Sequence, residues 1–274
     1  MAASSANLMS ECGSELRQSL VCVMNICQAA LDADMQTDIM LRCPLLLLLL
    51  SLVAIDTAWS KGQKDVMNKK QLTAAVKNIQ KQMESRDTPV YLDNGYLLAF
   101  RVTPGIGVSV FDTYMRAGYD DDNYVARLTM PCGCTSVDGS QPCDRHYRGK
   151  VLDTWSNIDR VRVSLYEGGE EKAFVEFDGN DASFDSWFSK DRLVDSSWTD
   201  LSGESQNYFS IAGHTGSVLG RRFYINKSYA GCPNDFGWLA LIEADDVCDW
   251  GKTSSTPKIF YSPGSSYVNW GKGY

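Results

Sequence analysis

The stretch from Ile158 to Asp178, I-D-R-V-R-V-S-L-Y-E-G-G-E-E-K-A-F-V-E-F-D, constrains the fold more than any other part of the chain. Val161, Val163 and Leu165 alternate with polar residues, and Ala173, Val175 and Phe177 do so again. A period of two puts successive side chains on opposite faces of a strand, so each run buries one face. Gly168-Gly169 between them has the positive-φ freedom that a tight hairpin turn needs. The same texture runs from Val90 to the C-terminus. G-Y-L-L-A-F-R-V-T-P, V-S-V-F-D-T-Y-M-R-A, Y-F-S-I-A-G, R-R-F-Y-I-N-K-S, F-G-W-L-A-L-I-E and K-I-F-Y-S read as strands separated by turn-forming residues. Many short strands of this kind predict an all-β fold, an antiparallel β-sandwich or jelly-roll-like domain over residues 89–274.

A short amphipathic helix precedes it. Residues 64–85 contain no Gly or Pro, and Leu72, Val76, Ile79 and Met83 are spaced four, three and four, as in a coiled-coil seam. Residues 61–88 are therefore expected to form a helical stalk, with 66–83 as a surface for homo-oligomerisation. Pro89 ends it.

Residues 1–60 read as a leader. From Met40 the chain runs M-L-R-C-P-L-L-L-L-L-L-S-L-V-A-I-D-T-A-W-S-K: a basic residue, an apolar run, then small residues at Ala58 and Ser60. That is the layout of a secretory signal peptide over 40–60, cleaved after Ser60, with the start at Met35 or Met40. Asp56 interrupts the run, which is too short to cross ~30 Å of hydrocarbon. No membrane span is expected after cleavage.

Secretion implies oxidising conditions, and Cys132, Cys134, Cys143, Cys232 and Cys248 follow the leader. Cys232 and Cys248 flank one apolar strand and form the expected first disulfide. Cys143 is expected to bond Cys132 or Cys134, and the spare thiol is a candidate for an interchain bond. Zinc at P-C-G-C…C-D-R-H, with His146, is disfavoured because paired C-x₂₋₄-C modules are missing. Charge is uneven: residues 61–87 hold seven Lys/Arg against three Asp/Glu, and 88–274 hold seventeen against twenty-five. An acidic body disfavours nucleic acid as a partner.

The remaining candidate sites lie in loops and on aromatics. Asp120, Asp121 and Asp122, then Asp178, Asn180 and Asp181, then Asp245 and Asp246, supply hard oxygen ligands of the kind calcium prefers, without EF-hand spacing. Calcium is the one cofactor candidate. Trp187, Trp198 and Trp250 neighbour polar residues and are candidate ligand platforms, although Trp also fills sandwich cores. Asn226-Lys227-Ser228 is the one glycosylation sequon after the leader, and alternation in R-R-F-Y-I-N-K-S turns Asn226 toward water. No catalytic residue is singled out; G-H-T-G-S, with His214, lacks the order of a nucleophile elbow.

R-R-F-Y-I-N-K-S-Y-A-G-C-P-N-D-F-G-W-L-A, V-L-D-T-W-S-N-I-D-R-V-R-V-S-L-Y and W-F-S-K-D-R-L-V-D-S-S-W together resemble a β-rich domain of secreted proteins of aquatic invertebrates, over roughly Tyr91 to the C-terminus. The resemblance implies extracellular placement and transfers no activity. The segment C-P-N-D-F-G-W resembles the cysteine loop of fibrinogen-like lectins, without the rest of that pattern. The expected function is a secreted binding module for an extracellular glycan or protein surface, calcium-assisted and oligomeric. The alternatives are a structural component of matrix, shell or mucus, and a polysaccharide hydrolase.

Overall fold

The structure, a computed structural model, describes residues 20–28, 69–84, 88–214 and 220–272. The chain divides into two units, one of Met1–Ala29 with Arg86–Tyr274 and the other of Ala30–Ser85. The smaller unit contains helix α1 (Lys69–Glu84), and Val76 and Ile79 on its seam are each 53% exposed. The signal sequence read at 40–60 lies outside the described residues.

The larger unit is all-β in character, with every strand pairing antiparallel. Its six-stranded sheet has the order β3-β2-β1-β4-β5-β6. The strands are β1 (Leu20–Gln28), β2 (Leu97–Val102), β3 (Tyr147–Arg148), β4 (Ile158–Glu167), β5 (Glu170–Asp178) and β6 (Leu193–Ser196). The hairpin read from the sequence is β4–β5, paired from Arg160↔Asp178 to Glu167↔Glu170 with a register shift between Leu165 and Tyr166, and Gly168 and Gly169 have φ of 61° and 81°. The second sheet runs β10-β9-β8-β7, from β7 (Tyr208–Ser210), β8 (Arg221–Tyr229), β9 (Asp235–Ile242) and β10 (Lys258–Tyr261), with β11 (Val268–Asn269) also on β9. One apolar core draws on both sheets: Phe100, Val163, Val175 and Phe177 from the first meet Phe223, Ile225, Leu239 and Ile259 from the second. A smaller core of Tyr224, Ala240, Ile242, Phe260 and Trp270 covers the other face of the second sheet.

Two elements differ from the sequence reading. First, β1 lies within the stretch 1–60 assigned to a leader, yet it occupies the middle of the six-stranded sheet. It pairs with β4 from Leu20↔Glu167 to Gln28↔Ile158 and with β2 from Cys22↔Val102 to Ile26↔Leu97. L-V-C-V-M-N-I-C-Q carries no charge, which is how a strand flanked on both edges reads. It shows no polar–apolar alternation, so a search for period two passes over it. Second, V-S-V-F-D-T-Y-M-R-A contains helix α2 (Val110–Met115) rather than a strand. The Ser109 side chain accepts a hydrogen bond from Asp112 N, and Glu243 Oε2, from the end of β9, accepts from Val110 N at 2.8 Å and Phe111 N at 3.0 Å. The Ser109 part of this cap is local, but the Glu243 part comes from far along the chain, where no local pattern marks it.

Candidate functional site

Strand β8 begins with a bulge. Its register against β9 shifts between Arg222 and Ile225, and Phe223 sits at φ 41°. In a regular strand Arg221 would share a face with Phe223 and Ile225, in the apolar core. The extra residue turns Arg221 onto the face of Tyr224 and Asn226 instead. There its guanidinium is buried and makes four hydrogen bonds. Nε donates to Asp246 Oδ2 at 2.7 Å and Nη2 to Asp246 Oδ1 at 3.1 Å. Nη1 donates to Asp235 Oδ2 at 2.6 Å and to the Tyr224 hydroxyl at 2.8 Å. The Trp250 ring covers it, 4.4 Å from guanidinium carbon to ring centre. Burial works against the Arg221 charge, but the hydrogen bonds from Asp246 and the nearby Tyr224 and Asp235 outweigh it and hold its pKa above the ordinary value.

This ion cluster anchors the surface loop that follows β9. Asp246 Oδ1 accepts from Cys248 N at 2.8 Å, and Cys248 is bonded to Cys232 with the Cα atoms 5.1 Å apart. Above the anchor, Asp245, Asp246, Lys252, Thr253 and Ser254 line an open cleft of about 460 Å³. Asp245 is exposed, and Lys252 is paired with Asp249 at 2.7 Å. The cleft therefore offers hydroxyls, an ammonium and a carboxylate over a rigid floor. Asp246 is committed to Arg221, which leaves Asp245 as the exposed carboxylate of this lining. A second cleft of about 280 Å³ lies along β6, lined by Leu193, Val194, Asp195, Ser196, Trp198, Thr199 and Ser202.

Asn226 is buried, at 0% exposure. Its Nδ2 donates to Asp235 Oδ1 at 2.8 Å, Phe236 O at 2.9 Å and Ser228 O at 3.2 Å. The expectation that it faces water is corrected: alternation identifies two faces of β8, but the smaller core covers the face assigned to solvent. A glycan on Nδ2 would remove these bonds and has no room. For the protein expressed through the secretory pathway of eukaryotic cells, digestion with a peptide N-glycosidase is expected to leave gel mobility unchanged; a shift lost in Asn226→Gln would contradict the burial.

The tryptophans separate in the same way. Trp187 and Trp198 are buried, so their assignment as ligand platforms is corrected. Trp187 Nε1 donates to the Tyr114 hydroxyl and Phe184 O, and Trp198 Nε1 donates to Ser262 O. Trp250 is half-buried and lies 5.0 Å from the Trp270 ring centre, roofing Arg221 beside the cleft.

The acidic loops serve as internal acceptors. Asp121 Oδ2 accepts from Arg148 N at 2.9 Å. Asp122 takes the Tyr147 hydroxyl on one oxygen and Lys150 N, at 2.7 Å, on the other. Burial raises the pKa of both. Asp120 Oδ1 accepts from Asn123 N at 3.1 Å. In the loop of Asp178, Asn180 and Asp181, Arg192 donates to all three backbone carbonyls, at 3.4, 2.7 and 3.4 Å. The guanidinium thus ties the loop's backbone together, and the Asp178 side chain accepts from Asn180 N at 3.0 Å. Among the described residues, the group of three metal-ligand types that converges is Cys134, Cys143 and Asp144. Cys134 and Cys143 are disulfide-bonded, with Cα atoms 4.8 Å apart, and are not metal ligands in that form. Cys132 is the exposed free thiol.

His146 is buried with both ring nitrogens bound. Thr103 N donates to Nδ1 at 3.0 Å, so Nε2 carries the hydrogen and donates to Val108 O at 3.0 Å. Burial lowers its pKa, which the Val108 hydrogen bond and Glu243 partly oppose. The folded state therefore resists the proton that the unfolded chain takes up near pH 6.5. This contribution to stability is complete above about pH 6.5 and is lost as pH falls from there toward the lowered folded value. Urea titrations at pH 7.5 and 5.5 are expected to show that loss and a shallower slope in His146→Asn. An unchanged slope would remove His146 as its source.

Sequence reasoning missed Arg221. The available signal was an arginine pair opening an otherwise apolar strand, with Asp235, Glu243 and Asp246 downstream. Arg222 pairs with Glu243 at 2.6 Å. Compared with known proteins, the chain matches no family model, no curated protein and no solved structure.

Proposed function

We propose that this chain is a secreted extracellular module whose two sheets form the layers of a β-sandwich and whose cleft over Asp245, Asp246, Lys252, Thr253 and Ser254 binds a glycan or a protein surface. The observation that carries this reading is the cleft itself: polar groups on a loop fixed from below by Arg221 and by the Cys232–Cys248 disulfide. A rigid base lets hydroxyl and charged groups engage a polar ligand with little ordering cost. Two disulfides fit an oxidising compartment, and among the described residues no helix is long and apolar enough to cross a membrane. Helix α1 supports oligomerisation. Thr73, Ala75, Gln80 and Gln82 flank its seam without charge and Lys70, Lys77 and Lys81 fall at outer heptad positions, while Lys69, seven residues before Val76, is the one charge on the seam line within the helix.

A glycan array probed with and without EDTA tests the binding reading, with Lys252→Ala/Thr253→Ala as the cleft variant. Binding that falls at least tenfold in the variant is expected, and EDTA sensitivity would bring in calcium through Asp245. No binding under either condition would remove the glycan reading. The exposed Cys132 favours a second reading, a structural component of matrix, shell or mucus joined by interchain disulfides. A purely monomeric band on a non-reducing gel would count against it.

A further inference from the structure

We propose that the gap between β2 and β4 is a strand-acceptor site, and that its occupant, Leu20–Gln28, is a separable strand that a second copy of this chain can supply as well as its own. Strand β1 is hydrogen-bonded along both edges, antiparallel to β2 and to β4. Without it the sheet falls into β3-β2 and β4-β5-β6, each with an open edge facing the other across one strand's width. β2 and β4 run parallel to each other, so only a strand antiparallel to both fills the gap in this register. Met24 stands opposite Phe100 and Val163 and is buried in the shared core. Cys22 and Ile26 stand opposite Leu165 and Val161, both core residues.

The covalent link to this strand contributes little to its placement. β4 and β5 are tied by a two-glycine turn, which fixes their register. β1 ends at Gln28, β2 begins at Leu97, and Ala30–Ser85 in between belongs to the other unit. The entropy of closing so long a connection grows only with the logarithm of its length, so it distinguishes weakly between its own strand and a neighbour's.

The test uses the full chain with a site-specific protease sequence placed between residues 60 and 61, cut while folded. The fragment carrying Leu20–Gln28 is expected to co-elute with the body on a native sizing column. A fluorescent peptide of residues 20–28, with Cys22→Ser and Cys27→Ser, is then expected to replace it one for one. The same peptide with Met24→Asp should bind on the order of a hundredfold more weakly, because its carboxylate would enter the core. A fragment that elutes apart from the body, whether the body stays folded or aggregates, overturns the proposal. So does equal binding of the Met24→Asp peptide.

Discussion

Arg221→Leu is expected to cost about 3–5 kcal/mol of folding stability at pH 7, the largest single effect we anticipate. The cost does not equal the strength of the ion pairs. It arises because Asp235 and Asp246, both buried, lose the cation that balances them. A buried carboxylate without a partner takes up a proton; burial already raises the Asp235 pKa against the opposing pull of Arg221, and losing that cation raises it further in the variant. The variant should therefore regain stability relative to the parent as pH falls from 7 toward 4.5, since protonation removes the uncompensated charge. Urea midpoints at the two pH values measure this. Adding Asp235→Asn and Asp246→Asn should recover much of the loss at pH 7. A loss that is independent of pH and unrelieved by the triple change would mean that the guanidinium matters through packing under Trp250 rather than through charge.

Trp187→Ala is expected to cost about 3–5 kcal/mol through the cavity it leaves. The indole lies 5.2 Å from the Phe177 ring centre and 5.4 Å from that of Phe188, and its removal also takes the donor from the Tyr114 hydroxyl, while Phe184 O keeps the Tyr114 hydroxyl as its donor. At about 2–4 °C per kcal/mol for a domain of this size, the melting temperature should fall on the order of 10 °C. The ligand role suggested by its sequence neighbours predicts the opposite pattern, unchanged melting with lost binding. Differential scanning calorimetry of Trp187→Ala beside Trp250→Ala separates the two. The half-buried Trp250 is expected to lose less stability and more of any cleft binding.

The comparison between sequence and structure turns on which faces are covered. Val161, Val163 and Leu165 were legible because β4 is charged on one side and apolar on the other, and a two-residue period survives in such a strand. The Cys232–Cys248 pair was legible because the cysteines flank a single strand, so few other partners are in reach. Asn226 was misread because both faces of β8 are buried, one by the shared core and one by Tyr224 and Trp270. Alternation tells a strand's two faces apart but does not say what packs on them. Strand β1 was passed over because it shows no polar–apolar alternation.

The amino-acid order alone determined the all-β character, the β4–β5 hairpin and the flanking of one strand by Cys232 and Cys248, because each depends on residues close together in the chain. It also supplied the acidic residues without saying what they bind. Only the tertiary structure decided that Asp235 and Asp246 meet Arg221, that Glu243 caps α2, that Cys134 rather than Cys132 bonds Cys143, and that residues 20–28 complete the sheet. These contacts join residues far apart in sequence, and the one-residue bulge at Phe223 decides which face Arg221 takes. A shift of one position in a strand exchanges its two faces, and no local pattern in R-R-F-Y-I-N-K-S marks where that shift falls.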